Sequence, residues 1–280
     1  MKTISLITAV VSYILISCIH PMNNESEAAP SATTLPETHT IEDRFPPPYE
    51  YVRTEESPSS FGSFLRNLPL KPQGSLVTYY NGEQKANHYI YDAVVDLPIG
   101  QRDLHQCADA VMRLRADYLL EQKRYDDIHF NFTNGFKADY ARWKNGERIA
   151  VSGNKVNWKP GGQVSNSAEN YWKYLEMVFS YAGTASLEKE LKSAPIENAN
   201  IGDVFIQGGF PGHAVIIVDK CRHKESGEVL VALAQSYMPA QEIQVLLNPN
   251  SKAHTVWYGL DGDELKTPEW TFTKNDLKRF

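Results

Sequence analysis

Hydrophobic side chains divide this chain into three parts. Residues 4–16 form a short apolar run, whereas residues 19–49 hold mainly Pro, Ser, Thr, Asn and Glu, with almost no apolar side chains. From about residue 50 onwards apolar positions recur regularly, as they do in globular proteins. That length suits one full-sized core, so we predict a single domain over residues 50–280.

Apolar side chains spaced three and four residues apart predict two helices in this domain. The first runs from Asp103, as its N-cap, to about Tyr125. The second covers residues 168–182, resumes after Thr184 as a second cap, and ends at Pro195.

Extended patterns occur on both sides of the helices. Residues 77–96 predict two strands joined by a turn at Asn81-Gly82. The C-terminal part predicts three more strands, Asp203–Ile206, Ala214–Asp219 and Val229–Gln235. Most of the second is an unbroken apolar run, which is typical of a strand covered on both faces. Helices followed by an antiparallel sheet predict an α+β domain.

The apolar run at the start of the chain predicts a signal peptide. It is too short to cross a bilayer, which takes roughly 20 apolar residues. Leu15-Ile16-Ser17-Cys18 follows and resembles a lipobox, the motif whose cysteine receives a diacylglycerol. An ordinary secretory signal would need small residues at positions −3 and −1; Ser17 fits this pattern and Leu15 does not. We therefore predict a lipoprotein signal peptide over residues 1–18.

A lipid on Cys18 predicts export and attachment to a membrane of the cell envelope, on its periplasmic or surface face. Residues 19–49 cannot bury enough apolar surface to offset their ordering entropy, so we expect a disordered tether there. The chain has 28 basic and 34 acidic residues and a net charge of −6. This balance argues against nucleic acid as a partner.

Lipidation of Cys18 leaves two thiols, Cys107 and Cys221, in a compartment where disulfides persist. The two form a structural disulfide, or Cys107 stays free. Cys107 lies near the start of the first predicted helix, where the helix dipole stabilises a thiolate nucleophile. It also lies on the apolar stripe of that helix, as a buried structural cysteine does.

His213 opens an apolar strand, and a catalytic imidazole needs a polar partner that fixes its tautomer. A hairpin around Lys224 would place His213 opposite Gln235, with Ser236 as the neighbouring choice. Asp219 lies about 20 Å along the strand and is too distant for this role. A structural histidine bonded to a backbone carbonyl would suit the same position.

Two segments carry a resemblance to a known family. Gly202–Ile206 and Gly212–Val218 resemble the strand–loop–strand segment of the NlpC/P60 and CHAP branch of papain-like cysteine hydrolases. In that family a cysteine at a helix N-terminus precedes the histidine, and a polar residue on the next strand orients the ring. Cys107, His213 and Gln235 occupy these places in order. The resemblance implies a papain-like fold, with helices packed on an antiparallel sheet, and hydrolysis of an amide or ester bond. Its implied substrate is the stem peptide of peptidoglycan.

Three features depart from that family. The nucleophile segment reads Gln106-Cys107-Ala108-Asp109 instead of Asp-Cys-Ser/Gly-Gly, the separation between cysteine and histidine is longer, and glutamine is a less usual orienting residue. The whole chain, with its lipobox and its Cys-Ala-Asp-Ala-Val-Met-Arg-Leu-Arg helix, also resembles bacterial lipoproteins that share a domain of unknown function (4846). A non-catalytic lipoprotein that binds wall material or a partner protein therefore remains the alternative.

Residues 130–143 are rich in aromatic side chains. On one interpretation they form a cleft wall, with Arg142 facing a substrate carboxylate and Trp143 beside it. On the other they pack the core and Arg142 is solvated.

No metal or other cofactor is predicted. His105 and Cys107 are two residues apart on a helix and face different directions, and the remaining histidines form no ligand pair at a useful spacing.

Overall fold

The computed structural model describes residues 39–280, and these lie in one compact unit. The predicted signal peptide, Cys18 and the first part of the predicted tether lie outside the described residues. Within them, no helix combines the length and apolar character needed to cross a membrane.

Short strands make up most of the regular structure of residues 39–280, and two helices there are longer than ten residues. The α-helices of the described region are α1 (Ile41–Arg44), α2 (Phe61–Arg66), α3 (Cys107–Glu121), α4 (Tyr140–Lys144), α5 (Ala168–Tyr181) and α6 (Thr184–Glu190). Its strands are β1 (Tyr51–Arg53), β2 (Tyr91–Val94), β3 (His129–Asn131), β4 (Lys137–Asp139), β5 (Glu147–Ser152), β6 (Lys155–Pro160), β7 (Lys192–Ser193), β8 (Val204–Gln207), β9 (His213–His223), β10 (Val229–Gln235), β11 (Gln244–Leu246), β12 (Trp257–Gly259), β13 (Glu264–Lys266), β14 (Thr271–Thr273) and β15 (Leu277–Arg279).

One antiparallel sheet organises the domain. Its strand order is β2-β11-β10-β9-β8-β15-β7, with β1 added to β9 and β12 added to β10. The pairs β3–β4, β5–β6 and β13–β14 form separate two-stranded ribbons. With α3 packed on β9, this is an α+β domain built on an antiparallel sheet, as predicted at that level.

The long strand β9 is the centre of the sheet. Its residues from His213 to Asp219 are all buried, which agrees with the predicted strand covered on both faces. It extends to His223, beyond the predicted end at Asp219, because β8 pairs with its first half and β1 with its last residues. The predicted bounds of β10, Val229 to Gln235, match the structure.

The first predicted helix begins later than expected. The sequence predicts Asp103 as its N-cap, but α3 starts at Cys107 and Gln106 is the N-cap. Asp103 instead holds the preceding loop, because its Oδ1 accepts hydrogen bonds from Ala240 N (2.7 Å) and Gln106 Nε2 (3.1 Å). Cys107 is therefore the first residue of the helix.

The second helical region is shorter than predicted. Thr184 is the first residue of α6 and not its cap, and the helix ends at Glu190. The next residues leave the helix because Lys192–Ser193 pairs with the C-terminal strand β15.

The folded region begins before residue 50. Ile41 is fully buried, Phe45 is 7% exposed, and Thr40 bridges to Pro69. The predicted tether therefore extends too far, since its last residues belong to the core. The composition of this segment does not predict its burial, because it has few apolar residues, of which Ile41 and Phe45 attach it to the core.

The predicted hairpin over residues 77–96 is only partly formed. Gly82 adopts a positive φ of 87° in the predicted turn, and Thr78 bridges to Gln84. Tyr91–Val94 is the single regular strand there, and it joins β11 of the main sheet.

Candidate active site

Cys107 is held at the N-terminus of α3, where the helix meets the sheet. Its side chain is buried, with 6% exposed, and its thiol contacts the backbone of Ala214, the residue after His213. The helix start is fixed by Asp109, whose Oδ2 accepts a hydrogen bond from Gln106 N at 3.0 Å. This places a free thiol beside the first residues of β9.

His213 and Gln235 form a buried hydrogen-bonded pair. Nε2 of His213 lies 2.7 Å from Oε1 of Gln235, and both side chains are 1% exposed. His213 is the first residue of β9 and Gln235 the last of β10. The two antiparallel strands therefore bring these polar ends together at one edge of an otherwise apolar region.

A β-bulge puts the two side chains on the same face of the sheet. The pairing Ala232↔Asp219 is followed by Leu233↔Ile217, so β9 contains one extra residue there. Without the bulge Gln235 would lie opposite Ile216, on the other face from His213. With it, the continued register places Gln235 opposite Val215, which makes it a diagonal neighbour of His213. The predicted pairing, with Gln235 directly opposite His213, is therefore wrong, because Gln235 lies opposite a position two residues farther along β9.

Glu269 fixes the orientation of the Gln235 amide. Its Oε2 accepts a hydrogen bond from Gln235 Nε2 at 2.6 Å, and Lys85 Nζ donates to its two oxygens at 3.1 and 3.0 Å. Because a carboxylate only accepts, the NH2 group of Gln235 faces Glu269 and its carbonyl oxygen faces His213. The imidazole therefore donates from Nε2 and keeps an unprotonated Nδ1.

Aromatic rings surround the imidazole of His213. The ring centroids of Tyr237, Trp270 and Phe272 lie 4.8, 5.5 and 6.0 Å from it. These contacts leave little room for water around the His213–Gln235 pair and hold the ring in one orientation. Within the described range the hydrogen bond of the imidazole is the one to Gln235, and none connects the ring to the thiol.

Burial determines the protonation states of both groups. It raises the pKa of the Cys107 thiol to about 11, helped by the Asp109 carboxyl, while backbone hydrogen bonds of Ala108 and Ala214 act in the opposite direction. Burial likewise lowers the pKa of His213 to about 4, although the hydrogen bond to Gln235 opposes it. Both groups are neutral at pH 7. The thiolate expected from the helix dipole is not the resting form. The free-energy cost of burying a charged thiolate exceeds the stabilisation that the helix N-terminus provides.

A cavity of about 560 Å³ borders Cys107. It lies between the start of α3, the junction of α5 and α6, and the loop before β9. Its lining includes Asp103, Leu104, Asp109, Phe179, Phe210 and Met238. His213 does not line the cavity, but its neighbour Gly212 does.

One family comparison covers this site. A protein-family model described as "Domain of unknown function (4846)" matches residues 41–279. The chain belongs to this family. The domain of unknown function (4846) includes Cys107, His213, Gln235 and Glu269, and it spans nearly all of the described structure. No curated protein and no solved structure matches the chain.

The two predicted substrate-binding residues lie away from the cavity in this member of the 4846 family. Arg142 forms an ion pair with Glu147, at 2.5 Å from Nη2 to Oε2, and its guanidinium covers the ring of Trp158. Trp143 is buried, and its Nε1 donates to Asn170. Neither residue lines the cavity beside Cys107.

Cys107 and Cys221 are both free and buried. Cys107 contacts the chain at Ala214, and Cys221 lies seven residues farther along β9, which is about 23 Å in an extended strand. A disulfide requires Cα atoms within roughly 7 Å, so the two thiols cannot pair in this fold.

The described residues contain no cluster of three or more His, Cys, Asp or Glu side chains arranged to hold a metal ion. His105 is fully buried, and its Nδ1 lies 3.3 Å from the carbonyl oxygen of Gln241. That contact turns the ring towards the loop after β10.

Sequence reasoning missed Glu269 and Lys85. Both lie in segments without regular secondary structure, where hydrophobic periodicity gives no information. One indirect signal exists. A buried Gln235 that offers its oxygen to His213 must place its NH2 group against another acceptor, so a second polar residue or carbonyl oxygen was to be expected nearby.

Proposed function

We propose that this chain is a thiol hydrolase of papain-like type, with Cys107 as nucleophile, His213 as general base and then acid, and Gln235 as the residue that orients His213. The observation that best supports this is the 2.7 Å hydrogen bond between His213 Nε2 and Gln235 Oε1, in a pair held by Glu269 next to the Cys107 helix. Such a pair leaves Nδ1 of the imidazole for proton transfer.

The reaction follows from these roles. Sγ of Cys107 attacks the carbonyl carbon of an amide or ester while its proton moves to Nδ1 of His213. The tetrahedral intermediate collapses when His213 returns that proton to the leaving amine or alcohol, which leaves a thioester on Cys107. Water then gives a proton to His213 and attacks the thioester, and the thiol recovers its proton as the acid departs. Backbone N–H groups at the start of α3 are suited to stabilise the oxyanion.

Proton transfer is coupled to attack in this proposal. With a thiol pKa of about 11 and an imidazole pKa of about 4, a separated thiolate–imidazolium pair is unfavourable at neutral pH. In this proposal Sγ and Nδ1 come together when substrate binds, since catalytic hydrogen bonds commonly tighten only in the complex.

The proposed setting is the cell envelope. A lipid on Cys18 would hold the domain on a membrane surface, and the resemblance to NlpC/P60 hydrolases implies the stem peptide of peptidoglycan as one substrate. The lipid itself is directly testable. A clickable palmitate analogue fed to expressing bacteria should label the full chain and fail to label Cys18→Ser. Equal labelling of the two chains would exclude lipidation at this residue.

A second function is favoured by one observation. The thiol of Cys107 is 6% exposed and has a raised pKa, as in a structural cysteine. On that basis the domain would be a non-catalytic envelope lipoprotein that uses the same cavity to bind wall material or a partner protein.

Acylation by a small activated ester separates the two functions. The full chain is incubated with p-nitrophenyl acetate, and the acetylated residue is located by mass spectrometry. We expect an acetyl thioester on Cys107, with release of p-nitrophenol that falls at least about a thousandfold in Cys107→Ala.

Cys221→Ala is the matched control, because Cys221 is the other buried free thiol and lies far from His213. It should keep the ester reaction. If the unaltered chain neither released p-nitrophenol nor carried an acetyl group on Cys107, or if Cys107→Ala retained the activity, the hydrolase would be excluded and the binding function favoured.

A further inference from the structure

The cavity beside Cys107 is bordered by exposed apolar side chains. Phe210 is 97% exposed and Met238 is 45% exposed, and both line it. Phe179 and Leu104 contribute further apolar surface. Single exposed apolar residues are normal on protein surfaces. Two of them at the edge of one cavity that also contains a free thiol point to a ligand with an apolar part.

No basic side chain is found among the described residues that line the cavity. Its ionisable lining residues other than Cys107 are the acids Asp103 and Asp109, and among the described residues that line it there is no Lys, Arg or His. Carboxylates in ligands are usually held by Arg or Lys. The lining is therefore poorly suited to an acyl group that carries a carboxylate, as many residues of a stem peptide do.

We propose that the cavity binds the acyl part of the substrate, and that this part is an uncharged apolar chain that packs against Phe210 and Met238 while Cys107 attacks its carbonyl carbon. This inference rests on the proposed function, because it names the substrate class of the same site. The volume of about 560 Å³ lies within the range of small-molecule sites, roughly 300–1,000 Å³.

An ester series tests the chain preference. The full chain is treated with the p-nitrophenyl esters of acetate, octanoate and monosuccinate, and the rate of Cys107 acylation is measured for each. We expect octanoate to react at least about a hundredfold faster than acetate relative to the uncatalysed rates, because six more methylenes become buried. Monosuccinate, which is anionic, should react more slowly than acetate.

The variant Phe210→Ser tests whether Phe210 provides the apolar surface that binds the octanoyl chain. It should lower the ratio of octanoate to acetate rates about tenfold. Tyr89→Ser is the control, since Tyr89 is an aromatic side chain that is 78% exposed and does not line the cavity. It should leave the ratio unchanged. Equal rates for octanoate and acetate, a preference for monosuccinate, or no effect of Phe210→Ser would overturn the inference.

A binding measurement on an inactive variant tests the apolar acyl site independently of the proposed hydrolase reaction. The neutral dye Nile red is bound to Cys107→Ala, and octanamide or acetamide is added as competitor. Displacement by octanamide at a concentration at least tenfold lower than acetamide supports an apolar acyl site, whereas equal competition overturns it. Absence of acylation by every ester, with octanamide still binding, would refute the hydrolase and leave the apolar site established.

Discussion

The two ends of strand β9 bury polar groups in different ways. At one end Asp219 is fully buried and accepts hydrogen bonds from Arg53 Nε at 2.8 Å and Arg66 Nε at 2.6 Å. At the other end His213 has one partner, the neutral amide of Gln235, and its Nδ1 has none among the described residues. Each end also lies close to a buried free thiol.

In the proposed hydrolase, this difference separates a structural site from a reactive one. The Asp219 end is fully paired, and the nearby Cys221 has its pKa raised to about 12 by burial and by Asp219. Its hydrogen-bonding capacity is used within the fold. The His213 end keeps an unprotonated ring nitrogen and borders a cavity through Gly212 and Cys107. The described residues therefore use only part of the hydrogen-bonding capacity of His213.

The largest effect is expected from Asp219→Ala. It would leave the Arg53 and Arg66 guanidinium groups without their carboxylate, and Arg66 is only 4% exposed. The free energy of unfolding should fall by about 3–5 kcal/mol, as when one partner of a buried ion pair is removed. Urea denaturation followed by circular dichroism measures this change.

Two variants sharpen that result. Asp263→Ala removes a carboxylate that is 92% exposed and paired with Lys274, so it should change stability little. Gln235→Ala removes a neutral partner at the other end of β9. It should destabilise by only about 1–3 kcal/mol yet abolish the ester reaction. If Gln235→Ala were as destabilising as Asp219→Ala and left the reaction intact, the two ends would both be structural.

Acid should destabilise the His213 end. The ordinary histidine pKa of 6.5 falls to about 4 in the fold, so the unfolded chain binds a proton between these values and the folded chain does not. Stability therefore decreases as the pH falls from about 6.5 to about 4, by up to about 3 kcal/mol for this group. Urea denaturation at several pH values measures the slope.

His213→Asn isolates this contribution. His105, with a pKa of about 3 caused mainly by burial, adds a slope in the same direction and remains in the variant. The slope between pH 6.5 and 4 should therefore decrease in His213→Asn without vanishing. His254→Asn, at an exposed position, should leave it unchanged. A slope that is identical in His213→Asn and the unaltered chain would show that His213 titrates normally.

Local patterns in the sequence predict the elements around the site better than they predict their connections. The apolar run that ends at Gln235 gives β10 its bounds, and the run after His213 gives the start of β9. The diagonal arrangement of His213 and Gln235 depends on a bulge near Val218, and no residue type in that segment predicts a bulge. The start of α3 was misplaced because Asp103 bonds to Ala240, a contact between residues far apart in the chain. Glu269 was missed for the same reason.

The smallest effect, about tenfold on the ester reaction, is expected from Glu269→Gln. The carboxylate accepts from Gln235 Nε2 at 2.6 Å and so forces the oxygen of Gln235 towards His213. A glutamine at position 269 can donate as well as accept, which permits the Gln235 amide to turn. A turned amide would donate to Nε2 of His213 and leave the proton on Nδ1, where it blocks base catalysis.

The tautomer distinguishes positioning from a general loss of structure. Nitrogen NMR of labelled histidine should show the Nε2–H form of His213 in the unaltered chain and a mixture of both forms in Glu269→Gln. Glu264→Gln is the matched control, because Glu264 is 57% exposed and pairs only with Lys266 at the surface. If Glu269→Gln slowed the reaction while His213 kept the Nε2–H form, Glu269 would act by some route other than the orientation of Gln235, and the contrast between the two ends of β9 would then rest on His213 and Gln235 alone.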